Sequence, residues 1–112
     1  QMEAASLNFR DLLIAKGIYP LTHAEPLVPL SDAAGVVTSV GAKVSRFRPG
    51  DRVTANFMRD WVGGPMTPAA KASSLGGEVG GVLAEFVVLP EHALAKLPDG
   101  MSWEQAATYA CA

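Results

Sequence analysis

Leu30-Ser31-Asp32-Ala33-Ala34-Gly35-Val36-Val37 is the stretch that decides how this chain folds. From Ala33 to Val40 the residues are mostly small or β-branched, with a glycine at Gly35, which is the make-up of a strand buried inside a sheet. A serine and an aspartate stand at its entrance. A carboxylate in that place either accepts hydrogen bonds from local amides or faces a cleft, where a raised pKa would let it donate a proton. Both readings of Asp32 are open at this level.

Outward from this strand, the chain is punctuated by short elements. Gln1 to Ser6 reads as the middle or end of a strand. Ser6 and Asn8 can each cap a helix that runs from Phe9, with Leu12 and Leu13 at helical spacing and Gly17 as its stop. Ile18 to Pro29 contains three prolines and is expected to be an extended loop. Gly41-Ala42-Lys43 turns the chain. Arg48-Pro49-Gly50-Asp51 reads as a type II turn ahead of a strand Arg52–Ala55. Phe57 to Gly81 is a long loop, and loops of that length in small domains are functional or disordered. Gly81 to Pro90 is the clearest strand by pattern, with Gly76-Gly77 and Gly80-Gly81 as a flexible approach to it. Leu94–Leu97 forms another brief strand. Ser102 and Gln105 form a capping-box pattern for a helix over Met101–Ala112. Many short strands and few helices give a β-rich, barrel-like domain.

Composition narrows the function classes. The 112 residues are 49% hydrophobic and 18% charged, the balance of one small globular domain. No apolar run reaches the ~20 residues that span a bilayer, and the opening lacks the pattern of a signal peptide. A net charge of -2, with nine Lys and Arg scattered, argues against a nucleic-acid surface. The single cysteine, Cys111, excludes an internal disulfide framework and fits a reducing, cytoplasmic setting. In an Ala-rich apolar helix it reads as a small buried hydrophobe. His23 and His92 fall in loop or turn contexts and are expected at the surface.

Five segments in order carry a family resemblance. They are Ser6-Leu7-Asn8-Phe9-Arg10-Asp11, Ser31-Asp32-Ala33-Ala34-Gly35, Gly50-Asp51-Arg52-Val53, Ala84-Glu85-Phe86-Val87, and Leu97-Pro98-Asp99-Gly100-Met101-Ser102 followed by Ala106-Ala107. In that order they resemble the catalytic domain of medium-chain dehydrogenases/reductases. The resemblance implies a partly open, GroES-like β-barrel, incomplete at both ends, over residues 1–112. It also implies a Rossmann cofactor domain beyond Ala112, since no Gly-x-Gly-x-x-Gly joins a strand to a helix here. The parent would use NADP or NAD, and the fragment alone would be inactive.

The same resemblance bears on metal. In zinc-dependent members the three catalytic ligands are a cysteine, a histidine and a second cysteine; at the matching positions stand Asn8, Ser31 and Cys111. One soft ligand of three does not make a catalytic zinc site, and the cysteines of the structural zinc lobe are absent as well. No metal is therefore expected, which points to the zinc-free, quinone-oxidoreductase-like branch acting on a quinone, enone or other small carbonyl.

Without metal, the chemistry falls to hydrogen-bonding groups. Asn8 is a candidate catalytic donor to a carbonyl and a candidate contact to the nicotinamide ribose, or else simply an N-cap. Arg10 is a candidate contact to cofactor phosphate, or a solvated helix face. Asp32 is a candidate catalytic carboxyl, or structural. Tyr19, Phe57 and Trp61, with Met58 and Met66, would line an apolar substrate pocket or an interface. A homo-oligomer is expected, with no membrane or nucleic-acid partner. The competing reading is a non-enzymatic GroES-like folding or assembly module whose unpaired strand edge self-associates.

Overall fold

The computed structural model describes residues 1–21 and 26–111; His23 lies outside them. In chain order the elements are strand β1 (Met2–Ser6), helix α1 (Phe9–Ala15), β2 (Asp32–Val36), β3 (Arg52–Ala55), α2 (Pro68–Lys71), a 3-10 turn (Glu91–Ala93), β4 (Leu94–Lys96) and α3 (Trp103–Ala106). The strands form one open antiparallel sheet in the order β1-β2-β3-β4. The domain is mainly β with short helices, as expected. None of the described helices is long and apolar enough to cross a membrane.

Strand β2 lies between β1 and β3, and both of its faces are covered. Ala33 packs with Leu30, Ala55, Leu75 and Val82 on one side, while Ala34 packs with Ala106 and Ala107 on the other. Alternation along the strand therefore separates two small cores. The alanines let α3 approach the sheet closely, and Thr54 Oγ1 donates to Ala33 O at 3.0 Å. Arg52 fastens this region, donating to Met101 O and stacking 4.1 Å from the Trp103 ring.

Local signals formed what they announced. Asn8 is the N-cap of α1. The helix closes in a Schellman arrangement, with Gly17 N donating to Ile14 O, Ile18 N donating to Leu13 O, and Gly17 at φ +67°. Asp51 N donates to Arg48 O across the Pro49-Gly50 turn, with Gly50 at φ +92°. Ser102 and Gln105 cap α3 reciprocally at 3.1 and 3.2 Å.

Four expectations are corrected. Residues 81–90 do not form a strand: Gly81, Val82 and Leu83 donate to Val28, Leu30 and Pro29, Met2 donates to Glu85, and the ladder goes no further. Phe86 and Val88 are exposed, Val88 at 98%. The strand expected over Ala33–Val40 spans Asp32–Val36, because the Val37 pairing with Asp51 and Gly50 closes the connection to β3. The helix expected over Met101–Ala112 stops at Ala106. Thr108 turns both its amide and its hydroxyl onto Gln105 O, which draws the last turn tight. Cys111 is consequently non-helical and half-buried. Finally, Gly76, Gly77 and Gly81 are close-packed contacts and not a flexible approach, while Gly80 alone of the four has open space around it. A Cβ on Gly76 or Gly81 would fall inside 3.0 Å of Leu30 backbone atoms, and one on Gly77 would strike the Arg10 guanidinium.

This close packing grips an unusual residue. Leu30 has φ +67°, the one non-glycine residue with positive φ among those described, and is 4% exposed. A left-handed leucine costs roughly 1–2 kcal/mol, which the packing around it offsets. Its carbonyl accepts from Val82 N at 2.9 Å and its side chain joins the core. The turn leads directly into Ser31 and Asp32, both fully buried.

Candidate functional site

Asn8 and Asp32 come together. The start of α1 and the entrance of β2 are adjacent because Ser6 pairs with Asp32 across the β1–β2 ladder. Asn8 Nδ2 donates to Asp32 Oδ2 at 2.9 Å, and Asn8 N donates to Asp11 Oδ2 at 2.8 Å, so one asparagine serves two carboxylates. The Cys111 amide approaches Asp32 as well, yet Oδ1 closes no hydrogen bond of ordinary geometry and remains unpartnered. Burial pushes the Asp32 carboxyl above its ordinary pKa and Asp11 adds to this, while the bond from Asn8 and the Cys111 amide act the other way. Ser31 Oγ and Asp11 Oδ1 are also buried without partners. The site thus carries polar capacity that no group among the described residues uses.

Arg10 forms a second cluster. Its Nη1 donates to Leu75 O at 3.1 Å and its Nη2 to Ser74 Oγ at 2.9 Å. Its guanidinium carbon lies 4.8 Å from the Phe57 ring centroid and 5.3 Å from that of Tyr19. Arg10 therefore ties α1 to the 74–77 segment and ranks Tyr19 and Phe57 beside it. Arg10→Lys is expected to destabilise the domain by about 1–2 kcal/mol, because an ammonium cannot hold both acceptors and stack as a planar fork does. Urea denaturation checks this, and an unchanged midpoint would refute it.

Phe57 also lines a cleft of about 410 Å³ with Asn56, Met58, Trp61, Val62, Gly63 and Ala110. Ala110 is in the cleft wall, and the amide of the next residue, Cys111, is the one that approaches Asp32. Trp61 is fixed by donating Nε1 to Gly64 O at 3.1 Å. Of the residues expected in a pocket, Phe57, Met58 and Trp61 line this cleft. Tyr19 reaches it only through Arg10, and Met66 is exposed outside it. Sequence reasoning missed Asn56, which follows β3 and bonds to Ala93 O and His92 O of the 3-10 turn. A second cavity of about 380 Å³ lies between residues 36–41 and 86–89, away from these groups.

His92 is exposed, as expected, and its Nε2 lies 3.3 Å from Asp60 Oδ1. The Asp60 carboxyl is held below its usual range first by Arg59 and then by His92. Among the described residues no three His, Cys, Asp or Glu side chains gather closely enough to hold a metal ion.

The family model described as the alcohol dehydrogenase GroES-like domain matches residues 1–99. A zinc-type alcohol dehydrogenase-like protein of Schizosaccharomyces pombe is 46% identical over 112 residues, covering 100% of this chain and 32% of the relative. A quinone oxidoreductase of Pseudomonas aeruginosa is 36% identical over 107 residues, covering 93% of this chain and 26% of its own. Among solved structures, a putative alcohol dehydrogenase from Sinorhizobium meliloti 1021 superposes with a TM-score of 0.86 at 45% identity, covering 98% of this chain and 33% of that one. The chain thus spans about a third or less of the length of these relatives.

Proposed function

The chain belongs to the alcohol dehydrogenase GroES-like domain family, and on that premise we propose that it is the substrate-side domain of a zinc-independent, NAD(P)H-dependent oxidoreductase acting on a small carbonyl, quinone or enone, or on the matching alcohol. The observation that carries this reading is the bond from Asn8 to Asp32 beside the unpartnered Ser31 hydroxyl. Catalytic zinc requires three ligands drawn from thiolate, imidazole and carboxylate. An amide, a hydroxyl and a single half-buried cysteine do not fit that requirement.

When bound, a nicotinamide supplies or accepts the hydride. The residues of this domain bind and orient. Phe57, Met58, Trp61 and Val62 take the apolar body of the substrate out of water. Arg10 holds Phe57 in place and is the proposed contact to cofactor phosphate, since Leu75 O and Ser74 Oγ take only two of its five N–H donors. Asn8 and Asp32 are the hydrogen-bonding groups proposed for the reacting oxygen and the cofactor ribose. Burial raises the Asp32 pKa above its ordinary value, the direction a proton donor needs.

The test uses the whole protein that carries this domain. NADH and NADPH oxidation is followed with aldehyde, enone and quinone substrates, with and without a zinc chelator. Turnover that survives chelation is expected; activity lost to the chelator and restored by zinc would refute zinc independence. Trp61→Ala is expected to raise KM roughly tenfold with a smaller change in kcat, the signature of lost uniform binding. An unchanged KM would remove the cleft from the substrate site.

A further inference from the structure

We propose that Asn56 is a specificity-determining residue of the cleft, selecting ligands that carry a hydroxyl or amine donor on an otherwise apolar body. The inference rests on the reading of this cleft as the substrate site and adds the chemistry of one wall.

The rest of the lining is carbon-rich. Phe57, Met58, Val62, Gly63 and Ala110 offer no polar side chain, and the indole N–H of Trp61 is already given to Gly64 O. Asn56 is therefore the lining side chain with hydrogen-bonding capacity to spare. Its backbone is fixed by donation from Asn56 N to Ala93 O at 2.8 Å. Its carboxamide is oriented too, because Nδ2 lies 3.3 Å from His92 O, and a carbonyl oxygen only accepts. The nitrogen must stay at that end, which leaves Oδ1 at the other.

The partner that orients it is itself held. His92 Nε2 meets Asp60 Oδ1 at 3.3 Å, and Asp60 N donates to Ser73 Oγ at 2.9 Å. Turning the carboxamide over would set Oδ1 against the His92 carbonyl. A ligand thus meets a fixed acceptor. A hydroxyl or amine satisfies it, whereas a ligand presenting a carbonyl oxygen at that point sets lone pair against lone pair. Sites built to hydrogen-bond a ligand donor discriminate against analogues that lack it, and because Asn56 is half-exposed the preference here is modest.

The experiment titrates the full chain, labelled with ¹⁵N, with benzyl alcohol, toluene and benzaldehyde, and follows the indole N–H resonances of Trp61 and Trp103. Benzyl alcohol is expected to shift Trp61 with roughly three- to tenfold higher affinity than toluene, the range of a neutral hydrogen bond. Benzaldehyde should bind more weakly than benzyl alcohol, and Asn56→Leu should remove the advantage of benzyl alcohol over toluene. Equal affinities for benzyl alcohol and toluene in the unsubstituted chain, a comparison that needs no variant, overturn the role of Asn56 and leave the cleft as a ligand site. If no probe shifts Trp61, the cleft reading falls with it.

Discussion

Gly81→Ala is expected to destabilise the domain by about 3 kcal/mol or more, lowering its melting temperature by roughly 10 °C. A methyl group there falls inside 3.0 Å of Leu30 O, Pro29 O and Gly76 Cα, all of them backbone atoms. Two of those carbonyls cannot retreat cheaply, since they accept from Val82 N at 2.9 Å and Leu83 N at 3.1 Å. The displaced residue would be Leu30, already left-handed, and Ser31 and Asp32 would move with it. Gly80→Ala is the control: nothing lies within 4 Å of its Cβ position, so a change within about 0.5 kcal/mol is expected. Thermal unfolding of the two variants decides the matter. Equal melting temperatures would mean that the Leu30 turn is not gripped as described.

Asn8→Ala should cost about 2–3 kcal/mol at pH 7.5 and less at acid pH. Its amide makes the described hydrogen bond to a fully buried carboxylate, and bonds to charged groups contribute roughly 1.5–3 kcal/mol. The pH dependence follows from the direction of the Asp32 shift. Burial raises the folded-state pKa above the ordinary carboxylate value of 3.8, so the folded state holds its proton more tightly than the unfolded chain. The stability associated with Asp32 is therefore fully present below that value and is lost as pH rises through the folded-state pKa. Removing Asn8 withdraws a bond that favours the anion, raising the folded pKa further and deepening the loss at neutral pH. Asp32→Asn should flatten the Asp32 part of the profile and recover part of the Asn8→Ala deficit. Urea titrations of the single and double variants at both pH values measure this coupling. A deficit for Asn8→Ala that is the same at both would show that Asn8 acts only as a helix cap.

The site is partly legible in the sequence. Asn8 and Asp32 stand out because an amide and a carboxylate occupy the start of a helix and the entrance of a buried strand, where side chains meet backbone ends. Phe57 and Trp61 stand out because aromatic residues in a long polar loop need a reason. Asn56 carried no such signal: an asparagine after a strand reads as a turn residue. Only the His92 carbonyl, 36 positions away, fixes its amide and makes it a directed acceptor. The holding of Arg10 by Ser74 and Leu75, across separations of 64 and 65 residues, was equally silent.

What the chain determined by itself was everything whose energy resides within a few residues. The N-cap at Asn8, the Schellman stop at Gly17, the Pro49-Gly50 turn and the Ser102–Gln105 capping box close hydrogen bonds between neighbours, so they form wherever the chain lies. The tertiary structure decided whatever needs a distant partner. Residues 81–90 have the composition of a strand, yet a strand exists only as far as a neighbour completes its ladder, and here that neighbour stops at Glu85. The glycines at 76 and 81 look like hinges in sequence and are close-packed contacts in space, because their neighbour is the Leu30 backbone, about 50 positions away. Steric contact and ladder pairing depend on which segments meet, and local sequence does not encode that.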